Sequence, residues 1–280
     1  MKRQQKEQLR IALFSLILAV STAGLGYAAH QLMGQPVADE LGCFLEAEGP
    51  RTSVVVDVSE PRFSVIQARS LRHYFDQLYD RLRFSEHLQV FTTEGDRVAA
   101  VVDASFEICG QTTDPRQLES IGLSAVQSGY LKREKDRLHE KLLTPELDSL
   151  LTLTPDASRQ QLVGSPILEM IAASLRASNL THGDRFVLIS DLINNSSVGR
   201  FCSAKNDMPR YENFKKRREY RRIQPPAING VEVEILMLVR PGYEQHCQSE
   251  DELSQFWEEY FYDHGASHVQ LIRLIHNEAH

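Results

Sequence analysis

Short apolar runs that suit β-strands alternate with amphipathic helical segments along most of the chain, and this alternation permits few folds. The runs at 53–59 and 185–191 are almost continuously apolar, as expected for strands buried on both faces of a parallel sheet. The other main predicted elements are helices at 64–83, from 166 onward and at 250–264, and strands at 231–240 and 268–275. Alternating strands and helices indicate an α/β protein with helices on both faces of its sheet.

One part of the pattern predicts an antiparallel pair. Strands are predicted at 88–92 and 97–106, and the Glu94-Gly95-Asp96 sequence between them suits a tight turn. A highly charged segment at 117–151 follows and predicts a helical insertion. We therefore expect a Rossmann-like, mostly parallel six-stranded sheet with one antiparallel edge strand.

The N-terminus predicts a membrane segment. Residues 1–10 are rich in lysine and arginine, and residues 11–29 then contain no charged side chain, which is close to the roughly 20 residues that cross a bilayer as a helix. A basic flank stays in the cytoplasm, so the remainder should be exported. We expect a single-pass protein of the bacterial inner membrane with a tether at 30–51 and a periplasmic domain at 52–280. A cleaved signal peptide is the alternative, since small residues reach Ala29.

The net charge and the spacing of the cysteines argue against several classes of protein. The net charge of -7 argues against a globally basic nucleic-acid binder. The four cysteines are not arranged in Cys-x-x-Cys pairs, which argues against a zinc ribbon or a thioredoxin-type site. An even number in an exported domain favours disulfides, and three pairings are open for Cys43, Cys109, Cys202 and Cys247.

Oxygen-bearing side chains follow the predicted strands or begin a helix at comparable positions. Asp57 and Ser59 end the first strand, Ser165 begins a helix, and Asp191 ends the fourth strand. In open α/β sheets, functional groups gather at the carboxyl ends of parallel strands. Carboxylates and hydroxyls are hard donors that suit Mg²⁺, Mn²⁺ or Ca²⁺. The sequence thus predicts a site for a divalent cation.

These residues give the chain a resemblance to the von Willebrand factor type A domains, over about residues 52–275. The Asp57-Val58-Ser59 stretch is similar to the Asp-x-Ser-x-Ser motif of that family's metal-ion-dependent adhesion site, although Pro61 stands in place of the second serine. Gly164-Ser165-Pro166 is similar to its second motif. Asp191 matches the third, with Leu192 where glycine is usual.

The resemblance implies a protein-docking module whose partner supplies a carboxylate to the bound cation. Ser165-Pro166-Ile167-Leu168-Glu169 also resembles a bacterial, membrane-anchored subgroup. If the fold follows the family, Cys43 and Cys109 lie together at the end opposite the cation, and Cys202 and Cys247 lie near it. The implied disulfides are Cys43–Cys109 and Cys202–Cys247.

A basic stretch with interleaved aromatic residues is a second candidate contact site. Its cationic side chains include Lys215, Lys216, Arg217, Arg218, Arg221 and Arg222. Such a patch suits lipid headgroups or an acidic protein, or it is simply a solvated face. We do not expect a nucleic-acid partner for an exported domain.

The favoured function is a membrane-anchored interaction module with an unidentified protein partner, and not an enzyme. One alternative is a Mg²⁺-dependent phosphoryl hydrolase that uses Asp57 and Asp191. The other is a structural subunit of an envelope or DNA-transfer assembly with a vestigial metal site.

Overall fold

The computed structural model describes residues 14–18, 20–22, 24, 38–44, 49–58, 63–93, 98–99, 102–123, 126–151, 164–201, 208–239 and 250–274. In this part of the chain, no helix combines the length and the apolar character that a membrane crossing requires. The basic tail 1–10 and much of the predicted transmembrane segment 11–29 lie outside the described residues.

Within the described residues, six strands form one sheet. They are β1 (Arg51–Val56), β2 (His87–Thr92), β3 (Phe106–Cys109), β4 (Arg185–Ser190), β5 (Glu232–Leu238) and β6 (His268–Leu274). Their order across the sheet is β3-β2-β1-β4-β5-β6. Neighbouring strands are parallel except β2 and β3, so the predicted mostly parallel α/β sheet with one antiparallel edge strand is confirmed.

Residues 14–18, 20–22 and 24 are helical, and the other helices of the described residues connect the strands. They are α1 (Val65–Arg81), α2 (Pro115–Glu119), α3 (Ser128–Leu138), α4 (Thr144–Leu150), α5 (Ile167–Ser178), α6 (Tyr211–Phe214), α7 (Arg218–Ile223) and α8 (Glu250–Asp263). A π-helical segment, His139–Leu143, joins α3 to α4. The segment predicted as a helical insertion therefore contains several short helices.

Strand β1 explains why the sheet needs helices on both of its faces. Val54, Val55 and Val56 are all fully buried, and alternate residues of a strand point to opposite faces. Val55 packs in a core that contains residues of α5 and α8. Val54 and Val56 pack in a second core that contains residues of α1, α3 and α4.

The position of β3 corrects the sequence prediction. The second strand of the antiparallel pair is Phe106–Cys109 and not 97–106, and Phe106 pairs with Val90. Residues 94–97, which contain the predicted turn, lie outside the described residues. Val98 and Val102 lie outside the strands but pack against the α5–α8 core. Their apolar character reflects this packing and not pairing in the sheet.

Candidate functional site at the carboxyl edge of the sheet

Asp57 occupies the edge at which the parallel strands end, called here the carboxyl edge. It follows β1 and only 1% of its surface is exposed. Its N–H donates to the carbonyl of Ile189 at 2.8 Å. Its Oδ1 accepts a hydrogen bond from Thr93 Oγ1 at 3.1 Å, and its Oδ2 accepts one from Ser165 Oγ at 2.9 Å and one from Ser190 Oγ at 3.0 Å. Hydroxyl groups from three other segments thus satisfy one buried carboxylate.

The loop after β4 fixes the position of Ser165. Ser165 and Asn195 exchange two backbone hydrogen bonds, at 2.9 and 2.8 Å. The Asn194 side chain accepts a hydrogen bond from the N–H of Leu168 at 3.1 Å and so satisfies a backbone donor in the first turn of α5. Pro166, at the N-cap position, supplies no side-chain hydrogen bond of its own. One loop therefore orients both the hydroxyl and the helix.

Asp191 and Leu192 form a tight turn directly after β4. Asp191 is buried, and its Oδ1 accepts a hydrogen bond from the N–H of Ile193 at 2.9 Å. Leu192 has a φ of 66°, in the left-handed region that favours glycine. Its N–H donates to Ser190 Oγ, and its carbonyl accepts from Trp257 Nε1 at 3.0 Å. The backbone at Leu192 thus adopts a conformation that glycine favours, although the residue is leucine.

The structure joins Asp57 and Ser165 directly, and Asp191 lies next in sequence to a third member of the cluster, Ser190. Ser59, the other predicted ligand, lies outside the described residues. Sequence reasoning missed Thr93 and Ser190. Both are hydroxyl residues at the carboxyl ends of parallel strands, and that position is the signal that could have identified them.

The donor set at this edge consists of oxygen atoms. Asp57 and Ser165 supply a carboxylate and a hydroxyl in contact, which are donors that Mg²⁺, Mn²⁺ and Ca²⁺ accept. Zinc and copper sites favour sulfur or imidazole ligands instead, and neither occurs among the contacts of Asp57 given above. Both side chains are therefore of the types that ligate hard cations.

A different group of potential ligands lies at the opposite, amino edge. Among the described residues, the ligand atoms of Cys43, His87 and Cys109 lie within 4.8 Å of one another, and this group could hold a metal ion. The two sulfur atoms form a disulfide with an S–S distance of 2.13 Å. His87 Nε2 lies 3.3 Å from Glu107 Oε2. Because thiolates are the sulfur ligands of metals, the two cysteines would bind a cation only after reduction.

The cysteine pairing that the family resemblance implied is thus present for Cys43 and Cys109. Cys109 is opposite His87, the first residue of β2, so the bridge lies at the end of the sheet away from Asp57. Cys202 and Cys247 lie outside the described residues, and their pairing stays a prediction.

Glu169 lies in the first turn of α5, four residues after Ser165. Burial raises the pKa of its carboxyl group, and a hydrogen bond with Ser196 opposes this increase. Its Oε2 is buried without a hydrogen-bond partner in the described part of the chain. Glu169 therefore couples α5 to the loop that holds Ser165.

The predicted basic patch divides into two parts. Lys215 is half-buried and binds Asp263 at 3.0 Å and Glu212 at 2.8 Å, so it acts within the fold. The remaining members are exposed: Lys216, Arg217, Arg218, Arg221 and Arg222. We call these five residues the basic platform.

The fold and the site together define a class: a mostly parallel α/β protein with a carboxylate–hydroxyl cluster at the carboxyl edge. In comparisons with known proteins, no protein family matches the chain and no curated protein is detectably similar in sequence.

Proposed function

We propose that this chain is an exported, membrane-tethered interaction module of the von Willebrand factor type A kind, which docks a protein partner through a divalent cation at Asp57. Asp57 and Ser165 would hold the cation, and Ser59 and Asp191 would complete the set of protein ligands. When bound, the cation would supply an open coordination position that attracts a carboxylate of the partner.

The observation that carries this proposal is the contact between Asp57 Oδ2 and Ser165 Oγ. These residues are 108 positions apart in sequence, yet their oxygens lie 2.9 Å apart. Two oxygens that bind Mg²⁺ at about 2.1 Å in adjacent octahedral positions lie about 3.0 Å from each other. The spacing that serves as a hydrogen bond here is therefore also suitable for two ligands of one cation.

The proposal is tested by calorimetric titration of the full-length chain with Mg²⁺ and Mn²⁺. Asp57→Asn keeps the shape of the side chain but removes its charge, so we expect cation binding to be lost. Asp184→Asn is the matched control. Asp184 is also a buried carboxylate, but it lies at the amino edge, where Oδ1 accepts from the N–H of Arg51 and Oδ2 from Thr181. This variant should bind the cation as the wild type does.

A chelator provides the functional test. Membrane proteins retained by the immobilised wild-type chain in Mg²⁺ should be retained much more weakly after chelation and by Asp57→Asn. Absence of cation binding in the wild type would refute the proposal and favour a structural subunit. Turnover of a phosphate monoester that Asp57→Asn abolishes would instead identify a hydrolase.

A further inference from the structure

The basic platform is an exposed charged surface, within which Arg221 donates a hydrogen bond to the Lys216 carbonyl at 3.1 Å. In the part of the chain that the structure describes, none of its five side chains forms an ion pair with a carboxylate. Neighbouring Lys215 contacts two carboxylates and thereby stabilises the fold. The platform is also opposite in sign to the chain as a whole, whose net charge is -7.

The platform is held in a fixed orientation by aromatic packing. Tyr211, Phe214 and Tyr220 alternate with the basic residues and are at most 2% exposed. The Tyr211 hydroxyl donates to Asp263 of α8 at 2.8 Å, and Tyr220 Oη lies 3.2 Å from His264 Nε2. Because α6 and α7 are anchored in this way, their charges are presented to solvent without a large loss of backbone freedom on binding.

An open cleft lies beside Arg217 of the platform. It has a volume of about 590 Å³ and is lined by residues 196–200, Arg217 and Glu219. The Arg217 guanidinium lies over the Phe214 ring, 5.2 Å from its centroid, and is thereby oriented. The loop at 196–200 continues directly from Asn195, which pairs with Ser165. The loop that pairs with Ser165 thus also lines the cleft beside Arg217.

We propose that an acidic polypeptide segment of the docked protein binds along this cleft and the basic platform. The inference rests on the proposed docking function and adds a second contact area with a defined charge. Guanidinium groups bind carboxylates through paired hydrogen bonds, and four of the five platform residues are arginines.

The shape of the cleft beside the platform favours a peptide over a lipid surface. The cleft is concave, whereas a bilayer is nearly flat on this scale. A narrow acidic segment can enter the cleft, whereas a bilayer surface can contact only its rim.

The test uses the full-length chain in detergent micelles and a fluorescent, glutamate-rich peptide, with binding followed by anisotropy. We expect saturable binding that weakens as salt is raised. Arg217→Glu combined with Arg218→Glu should weaken binding by about tenfold or more, because attraction becomes repulsion at two positions. Arg218→Glu combined with Arg222→Glu should do the same without altering the contact of Arg217 with Phe214.

The matched control reverses two exposed basic residues of α3, Lys132→Glu with Arg133→Glu, and so changes the net charge equally. This control should retain the wild-type affinity. Equal losses in control and platform variants, or no binding by the wild type, would overturn the proposal. The proposal would also be overturned if the chain bound micelles doped with phosphatidylglycerol and did not bind the peptide.

The experiments can reject cation docking at Asp57 and acidic-segment binding at the platform independently of each other. Peptide binding at the platform should persist in chelator and in Asp57→Asn, because its charges are independent of the cation. Loss of cation binding with intact peptide binding would reject only the docking mechanism at Asp57. Intact cation binding without peptide binding would reject only the acidic segment.

Discussion

Leu192 combines two requirements that normally exclude each other. Its φ of 66° favours glycine, but its side chain is fully buried in the core between the sheet and α8. Removing the side chain should cost about 2–5 kcal/mol. Because glycine tolerates this φ and alanine does not, Leu192→Gly should be more stable than Leu192→Ala by about 1 kcal/mol.

Urea unfolding followed by tryptophan fluorescence measures this difference, since Trp257 is the single tryptophan of the chain and donates to the Leu192 carbonyl. The control is Leu188, a fully buried residue of β4, at which alanine should be the more stable replacement. If the alanine variant were more stable than the glycine variant at Leu192, as expected at Leu188, the backbone at Leu192 would not be strained.

Sequence reasoning found the centre of the candidate site but not its surroundings. Asp57 and Ser165 were identified because each follows or precedes a clear apolar element, and the structure places them in contact. Thr93 and Ser190 were missed because single hydroxyl residues are common and carry no motif. Their role becomes visible only when β1, β2 and β4 are placed side by side.

At the scale of elements, the packing of α7 on α8 depends on a neutral histidine. His264 Nδ1 donates to the carbonyl of Tyr260 at 2.7 Å, and Nε2 accepts from the Tyr220 hydroxyl at 3.2 Å. Burial lowers the pKa of His264 below its ordinary value of 6.5, although the hydrogen bond to the Tyr260 carbonyl and the charge of Asp263 oppose this shift. The unfolded chain therefore takes up this proton first, so stability should decline as pH falls below 6.5.

Unfolding free energies of the wild type measured across this pH range should show the decline. His264→Gln should be less stable at neutral pH and should lose this part of the pH dependence. His182→Gln alters an exposed histidine and should keep the wild-type profile. A profile that is unchanged in His264→Gln would assign the decline to other groups.

Element prediction was least ambiguous for the strands that are buried on both faces. Strands β1 and β4 are buried on both faces, so their apolar runs are unambiguous. Residues 98–102 were assigned to a strand because they are apolar, but Val98 packs on a core without strand pairing. The start of α5 also depends on a distant side chain, Asn194, that local sequence does not reveal.

At the scale of the whole molecule, the two edges of the sheet have different roles. The disulfide at the amino edge joins residues that are 66 positions apart, and Cys109 N–H also donates to the Leu41 carbonyl at 3.0 Å. A cross-link of this length stabilises a fold by about 4 kcal/mol in the chain-entropy account. Replacing Cys43 and Cys109 by serine should lower the free energy of unfolding by about that amount.

Removal of the disulfide should not alter the geometry at the carboxyl edge, because rigid parallel strands separate the disulfide from Asp57. Under conditions in which the double serine variant is still folded, its affinity for Mg²⁺ should equal that of the wild type. The measurement combines urea unfolding with calorimetric titration of the same samples. Asp57→Asn is the control, because it should lose Mg²⁺ binding while its disulfide stays intact. If the serine variant were folded yet bound Mg²⁺ much more weakly, the two edges would be coupled.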